Sequence, residues 1–376
     1  MDVWIRINGR GNAWPLELGS NDARHRALRD TPNEYANTSL SVIGAEGVGP
    51  EGHPAPDNVR WEVLVDIGQG VIPNLIGAGN RLPNALVLTH PHFDHVSGLD
   101  WFCPSYKRHR ADESRRMLPE RPTVYATEPC LAEVFGATRF YYLTADIDRR
   151  PVRLGEPFSI PEADPNLKVT AFPVYHGPYA PGAALWLVEF SGKKAILTGD
   201  LLCPLLREDD LARLSGPTLL IADANTRYPW PESGHWSITA RDPANPSLPQ
   251  ESVRLTSWKG QNSVPRTLLS PHADDPSPYA ERLRADFASG GLGRAQLSWS
   301  VFDFARLVSA ESVQLVHYSG YEDTRYRQEG SYGGRSLSVD ILDDSDLRSW
   351  ANNQARLEGV DASIDVPLPG QWFPLS

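Results

Sequence analysis

Cysteine is scarce in this chain of 376 residues, which contains only Cys103, Cys130 and Cys203. Three scattered thiols cannot form a disulfide scaffold, and their scarcity favours a reducing compartment such as the cytosol. The sequence also lacks an apolar run long enough to span a membrane. Its first residues show no basic segment followed by an apolar core, as a signal peptide would. We therefore expect a cytoplasmic protein with no membrane partner.

Positive charge is in deficit as well. Lys and Arg number 36 against 47 Asp and Glu, so the formal net charge is -11. This balance argues against a general binder of nucleic acids or anionic membranes, because phosphate groups are bound by basic surfaces. Nucleic acid is therefore not an expected partner, and a small-molecule substrate is.

The densest group of reactive side chains follows a short apolar run at Ala85–Leu88, which predicts one buried strand. Directly after Thr89 come three histidines and a carboxylate: His90, His92, Asp94 and His95. Imidazole nitrogens and carboxylate oxygens are the ligands that zinc prefers. The alternation of His90 and His92 places their side chains on one side of an extended backbone. Asp94 and His95 can then face a second metal position beside the first. This spacing indicates two metal ions; a histidine-rich exposed loop is the alternative interpretation.

Further candidate ligands stand at the ends of other predicted strands. They are Asp66 after Trp61–Val65, His176 after Leu167–Val174, Asp200 after the hairpin of Leu185–Phe190 and Lys194–Leu197, Asp223 after Thr218–Ala222, and His317 after Val313–Val316. Each is a weak signal alone. A single histidine after a strand is usually structural, and Asp66 could equally form a turn.

The run T-H-x-H-x-D-H, followed by Gly98-Leu99, resembles the signature of the metallo-β-lactamase superfamily, which contains metal-dependent hydrolases and a few oxidoreductases. The order of the segments (histidine cluster, lone histidine, hairpin, Gly-Asp, final strand and histidine) is also the order in that superfamily. The resemblance implies an α/β fold, a four-layer αββα sandwich, as a single domain over residues 1–376. It extends to the phosphodiesterase branch, which includes the transfer-RNA 3′-processing endonucleases, and to the pyrroloquinoline quinone biosynthesis B protein group.

Position by position, the resemblance implies that His90, His92 and His176 bind one metal ion. Asp94, His95 and His317 would bind the second, Asp200 would bridge the two, and Asp66 would support the ligands from behind. The cofactors would be two divalent ions, with zinc expected first and manganese or iron as alternatives.

Hydrolysis is the default chemistry of such a centre, because paired cations provide hydroxide at neutral pH. Asp94 is placed among the catalytic residues as well as the metal ligands. His235 is the candidate acid that protonates the leaving group, with Asp223 orienting it. A structural loop histidine is the alternative for His235, whose surroundings match the phosphodiesterase branch only loosely.

The favoured substrate is a small phosphodiester or a cyclic nucleotide. Hydrolysis of a lactone or thioester by the same metal ions is the first alternative, and an iron-dependent oxidoreductase of the same fold is the second. A scaffold without enzymatic activity ranks last, because no ligand of the implied set is missing.

The composition changes over residues 236–297, where Pro, Ser, Asn and Gln dominate the first half and a helix is predicted near Pro278–Phe287. We interpret this segment as an insertion that serves as a lid or as the surface of a homodimer. His272 within it is rejected as a ligand, because no strand precedes it. Other predicted elements include a helix over Leu75–Arg81, a helix over Leu347–Leu357 and an apolar C-terminal tail that packs on the body.

Overall fold

Two large β-sheets dominate the computed structural model, which describes residues 1–13, 36–112, 118–137, 139–177, 179–228, 234–242, 245–249, 278–288, 300–319 and 342–376. The protein is a mixed α/β structure in which the two sheets share a large core, and the predicted α/β sandwich is confirmed.

The first sheet has seven strands, antiparallel at one side and parallel at the other. In spatial order they are β17 (Trp372–Pro374), β1 (Asp2–Gly9), β2 (Ser39–Ala45), β3 (Val59–Val65), β4 (Ala85–Val87), β5 (Thr123–Thr127) and β6 (Asp148–Val152). Strand β17 comes from the apolar C-terminal tail, so the tail packs on the body by adding an edge strand to β1.

The second sheet has eight strands. Its spatial order is β11 (Cys203–Pro204), β8 (Lys168–Tyr175), β9 (Ala184–Phe190), β10 (Lys193–Leu197), β12 (Leu219–Asp223), β15 (Ser312–Val316) and β16 (Ser363–Asp365), and β7 (Phe158–Ser159) pairs with β8. The turn between β9 and β10 consists of Ser191 and Gly192, with φ of 48° and 80°. Positive φ at both positions is typical of a tight hairpin turn, because it matches the twist of the strands. A separate pair, β13 (Arg241–Asp242) and β14 (Asn245–Pro249), forms a two-stranded sheet.

The helices form the outer layers. Those that follow strands of the first sheet are α1 (Val71–Gly77), α2 (Phe93–Val96), α3 (Leu99–His109) and α4 (Glu128–Val134), and those of the second half are α5 (Glu208–Leu214), α6 (Pro278–Ala288), α7 (Val301–Val308) and α8 (Asp344–Leu357). Buried apolar residues on one face of the first sheet, such as Leu64 and Leu86, pack with Leu75 and Phe102 of the helices. The other face, with Ile5 and Val42, belongs to the larger core that it shares with the second sheet. None of the described helices is long and apolar enough to cross a membrane.

The helix predicted over Leu75–Arg81 lies four residues earlier, at Val71–Gly77. Pro73 stands in the first turn of this helix, where the missing N–H of proline costs no hydrogen bond. The chain then leaves the helix through Gly79 and Asn80, both with positive φ.

The ends of segment 236–297 are built into the body. Trp236 and Ile238 belong to the large core at one end, and Tyr279 and Leu283 of α6 belong to it near the other. Much of the segment between them, including His272, lies outside the described residues, so the insertion stays a prediction.

Candidate metal centre

The candidate ligands meet because of the direction of the strands. Strands β3 and β4 run parallel in the first sheet, and β10, β12 and β15 run parallel in the second. Residues that follow the carboxyl ends of parallel strands come together at one edge of a sheet. After β4 the chain bends at Thr89, is extended at His92 and then turns into the four-residue helix α2, which contains Asp94 and His95.

The first group consists of His90, His92 and His176, which each offer a ring nitrogen within 4.8 Å of the others. His176 Nε2 lies 3.0 Å from His92 Nδ1. His176 Nδ1 donates to the carbonyl oxygen of Gly234 at 2.8 Å. Since a carbonyl can only accept, this bond fixes the tautomer and leaves the lone pair of His176 Nε2 directed at the group.

The second group consists of Asp94, His95, Asp200 and His317, whose ligand atoms also lie within 4.8 Å of one another. Asp200 Oδ2 is 3.1 Å from His317 Nε2 and 3.3 Å from His95 Nε2. The same oxygen is 3.7 Å from His90 Nε2 and 3.8 Å from His176 Nε2. Asp200 therefore lies between the two groups.

Asp66 and Thr89 support the second group through hydrogen bonds, with Asp66 bonded directly to His95. Asp66 Oδ2 accepts hydrogen bonds from His95 Nδ1 at 2.7 Å and from the Thr89 hydroxyl at 2.6 Å, while Asp66 Oδ1 accepts from the Thr89 N–H. The bond to Nδ1 leaves His95 Nε2 for the cluster, the arrangement found for histidine ligands in metal sites. Asp66 and His317 have φ of 58° and 65°. Left-handed backbone at residues other than glycine costs about 1–3 kcal/mol each and is concentrated at functional sites.

Asp223 and His235 form a pair beside these groups. His235 Nδ1 donates to Asp223 Oδ2 at 2.9 Å, and Asp223 also accepts from the N–H groups of Leu201 and Asn225. The His235 ring stacks on that of His317 with centroids 4.8 Å apart. Its side chain is 19% exposed, whereas those of His317 and Asp223 are fully buried. His235 thus lies at the rim of the cluster on an anchored carboxylate.

Burial and charge separate the pKa values within the cluster. Burial, reinforced by neighbouring imidazoles, lowers the pKa of His90 and His176 well below the ordinary value. Burial acts in the same direction on His317, but Asp200, together with Asp94, outweighs it and raises the pKa of His317 to about 10. Burial likewise opposes charge on His235, and Asp223 nevertheless raises its pKa.

The cluster fits a divalent metal ion on the evidence of its own atoms. Several buried atoms have no hydrogen bond among the described residues: His90 Nε2, His95 Nε2, Asp200 Oδ1 and both ring nitrogens of His317. An unsatisfied buried polar atom costs about 1–3 kcal/mol, so a cluster of them is not a packing solution. Imidazole and carboxylate donors that converge in this way are the ligand set of zinc and related ions. All seven residues implied as metal ligands are brought together.

Some contributors to the site were missed in the sequence. The Gly234 carbonyl, which orients His176, gives no sequence signal because any residue has a carbonyl. Thr89 could have been found, since it stands between the strand and the first histidine. Gly199, by contrast, was expected from the sequence as part of the Gly-Asp segment. It has φ of 58°, and a Cβ built there would lie 2.7 Å from Thr89 Cβ, so this position before Asp200 requires glycine.

The candidate metal ligands lie at the ends of strands from both large sheets. Residues 64–244 match the family model described as the β-lactamase superfamily domain, a segment that contains every residue of the site except His317. The sequence resemblance to the metallo-β-lactamase superfamily is thereby confirmed.

Three solved structures have a similar fold. A diphosphatase from the PhnP family is 15% identical with a TM-score of 0.55, covering 99% of this chain and 97% of its own. The metallo-β-lactamase fold protein YhfI from Bacillus subtilis is 12% identical with a TM-score of 0.53, covering both chains fully. Unliganded yeast PDE1 is 14% identical with a TM-score of 0.51, also covering both chains fully. No curated protein matches the sequence.

Proposed function

We propose that the protein is a dinuclear metal-dependent hydrolase. The observation that carries this proposal is the position of Asp200, whose Oδ2 lies 3.1–3.8 Å from histidine nitrogens of both groups. A carboxylate at such a point can bridge two cations. His90, His92 and His176 would hold one ion, and Asp94, His95 and His317 would hold the other, with zinc as the expected metal.

When bound, a pair of divalent ions supplies a nucleophile from water at neutral pH and stabilises the negative charge of the transition state. The surrounding residues would orient the metal ligands and determine which side chains carry a proton. Asp66 sets the orientation of His95, and the Gly234 carbonyl sets that of His176. Asp94 contributes to catalysis as a ligand that accepts no proton, because the neighbouring His95 and His317 outweigh burial and keep its pKa well below the ordinary range.

His235 is proposed as the general acid. Because Nδ1 is held by Asp223, Nε2 lies on the opposite side of the ring and can carry a proton to the leaving group. Asp223 is itself fixed by two backbone N–H groups, so the imidazole is held in one orientation. A catalytic histidine that is oriented by a hydrogen-bonded carboxylate is a recurring arrangement in acid–base catalysis.

The proposed substrate is a small phosphodiester or cyclic nucleotide. Two structures of similar fold above are by name a diphosphatase and PDE1, which supports phosphoester chemistry. The net charge of -11 speaks against a long polyanion as substrate. We propose that the enzyme acts in the cytoplasm; a homodimer formed through segment 236–297 belongs to the same proposal.

A substrate screen tests this function, on purified protein whose metal content has been measured. Bis-p-nitrophenyl phosphate, a lactone and a thioester are offered to protein loaded with zinc or manganese, and the phosphodiester is expected to be hydrolysed fastest. His53→Ala, which changes a histidine remote in sequence from the cluster and stacked on Trp372, is the matched control and should keep full activity. Purification with a single iron and consumption of oxygen would contradict the proposal.

A further inference from the structure

Thr89 lies between β4 and the first histidine of the metal centre, and its backbone joins the two large sheets. The residue is only 3% exposed. Its N–H donates to Asp66 Oδ1 at 2.8 Å, and its carbonyl oxygen accepts from the N–H of Ala184, the first residue of β9, at 2.9 Å. The end of a strand in the first sheet is thereby fixed against the start of a strand in the second.

The hydroxyl of Thr89 lies between two side chains, at 2.6 Å from Asp66 Oδ2 and 3.0 Å from His90 Nδ1. A hydroxyl has a single hydrogen to donate. The shorter contact is made with a carboxylate oxygen, which accepts, so the hydroxyl donates to Asp66. Towards the imidazole the hydroxyl must then accept, and Nδ1 of His90 carries the hydrogen of that bond.

This assignment fixes the tautomer of His90. With the hydrogen on Nδ1, the lone pair is on Nε2, which is buried, has no hydrogen bond within the described part of the chain and lies 3.7 Å from Asp200 Oδ2. His95 follows the same pattern, because its Nδ1 donates to Asp66 directly at 2.7 Å. One carboxylate thus orients a histidine in each of the two proposed metal groups: His95 by a direct bond, and His90 through the hydroxyl of Thr89.

Packing holds this hydroxyl in place. Threonine is branched at Cβ, which restricts its side chain to few rotamers. The side chain lies against Gly199, where an added Cβ would come within 2.7 Å of Thr89 Cβ and 3.1 Å of its methyl carbon Cγ2. Because Gly199 precedes Asp200, Thr89 also contacts the turn that carries the proposed bridging ligand.

We propose that Thr89 is a positioning residue of the first metal group, which transmits the orienting effect of Asp66 to His90. The hydrogen bonds stand on the contacts above, whereas their consequence for metal binding rests on the proposed function. Valine has nearly the same shape as threonine but no hydroxyl. In Thr89→Val, Nδ1 of His90 therefore loses its acceptor, and the imidazole loses its preference for one tautomer.

NMR of the full chain, labelled with ¹⁵N-histidine and freed of metal by dialysis against a chelator, tests the hydrogen-bond assignment. The chemical shift of an imidazole nitrogen shows whether it carries a hydrogen, and the signals are assigned by their absence in His90→Gln. Wild type and Thr89→Ser should carry the hydrogen on Nδ1, and Thr89→Val should lose this preference. A wild-type His90 with its hydrogen on Nε2, or an unchanged Nδ1 signal in Thr89→Val, would overturn the proposal. The wild-type measurement needs no variant, so the test does not depend on the folding of Thr89→Val.

Zinc binding tests the consequence for the metal group. Hydrogen-bond partners of a ligating imidazole typically contribute about 10- to 100-fold in metal affinity. Native mass spectrometry with a competing chelator should therefore show one of two ions weakened by about that factor in Thr89→Val, with the affinity largely restored in Thr89→Ser. Asp66→Asn removes the shared carboxylate and should weaken both ions.

Thr127→Val is the matched control. Thr127 is also buried at the end of a strand of the first sheet, but its hydroxyl donates to the carbonyl oxygen of Gly182 at 2.6 Å. Both valine variants lose one buried hydroxyl, so their stabilities should fall by similar amounts, and only Thr89→Val should lose zinc affinity. Equal zinc affinities in the two variants would overturn the role of Thr89 alone. Absence of zinc uptake by wild type would refute that role and the proposed function together.

Discussion

Replacing His235 by alanine separates metal binding from proton transfer. The imidazole at the rim is removed, but its Nδ1 is already bonded to Asp223 and none of the seven proposed ligands is changed. Asp223 keeps the N–H groups of Leu201 and Asn225. The lost hydrogen bond should therefore cost about 1–3 kcal/mol, less than the stability of a typical domain of about 5–15 kcal/mol. The variant is expected to fold and to retain metal.

The effect on rate should be larger than the effect on stability. General acids contribute about 10²- to 10⁴-fold, which corresponds to roughly 3–5 kcal/mol of activation free energy. The loss should depend on the leaving group. A p-nitrophenolate ion leaves without help, whereas an alkoxide must be protonated, so the alkyl diester should lose far more rate than the p-nitrophenyl diester.

The assay compares kcat for the two diesters in wild type, His235→Ala and the control His53→Ala, with the metal content of each measured by mass spectrometry. A structural loop histidine would reduce both rates equally or release metal. Equal losses for the two leaving groups, or an unchanged rate for the alkyl diester, would refute the role of His235 as acid.

Other predictions concern the metal ligands, removal of the metal and the turn before Asp200. His92→Ala should lose metal and activity together, because it removes one of three nitrogens of the first group; metal content measured alongside kcat checks this, and full activity without a change in metal would contradict it. Chelation with EDTA should lower the Tm of wild type by on the order of 10 °C, since tightly bound ligands stabilise the native state by several kcal/mol; calorimetry should show no shift if the cluster holds no ion. Gly199→Ala should destabilise the protein by about 1–3 kcal/mol, because a Cβ would press on Thr89 at a φ of 58°; a denaturant midpoint equal to that of wild type would show that the turn before Asp200 tolerates a side chain.

The candidate ligands could be placed at strand ends from the sequence because strand ends are local features, whereas their grouping into a metal site came from the resemblance to the metallo-β-lactamase superfamily. A buried run such as Val313–Val316 shows itself by composition, and the residue after it falls at a sheet edge whatever the rest of the chain does. Parallel pairing of β10, β12 and β15 then brings their ends together.

Contacts between segments that are far apart in the sequence could not be predicted from such local patterns. The edge strand β17 pairs with β1 from the other end of the chain, and its three residues carry no periodicity of their own. Glu62 on β3, for example, is buried and forms ion pairs with two arginines, Arg6 from β1 and Arg81 from the segment after α1. In the sequence these are three ordinary charged residues, and only the register of the strands shows that they are buried together.

The metal stoichiometry of the purified protein tests the account most directly. Native mass spectrometry during titration with zinc should show two ions bound per chain at saturation, because Asp200 lies within 4 Å of histidines in both groups. Asp200→Asn, which keeps the shape but removes the charge between the sites, should lower the affinity for the ions. Saturation at a single ion per chain, or no uptake of any ion, would contradict the dinuclear centre.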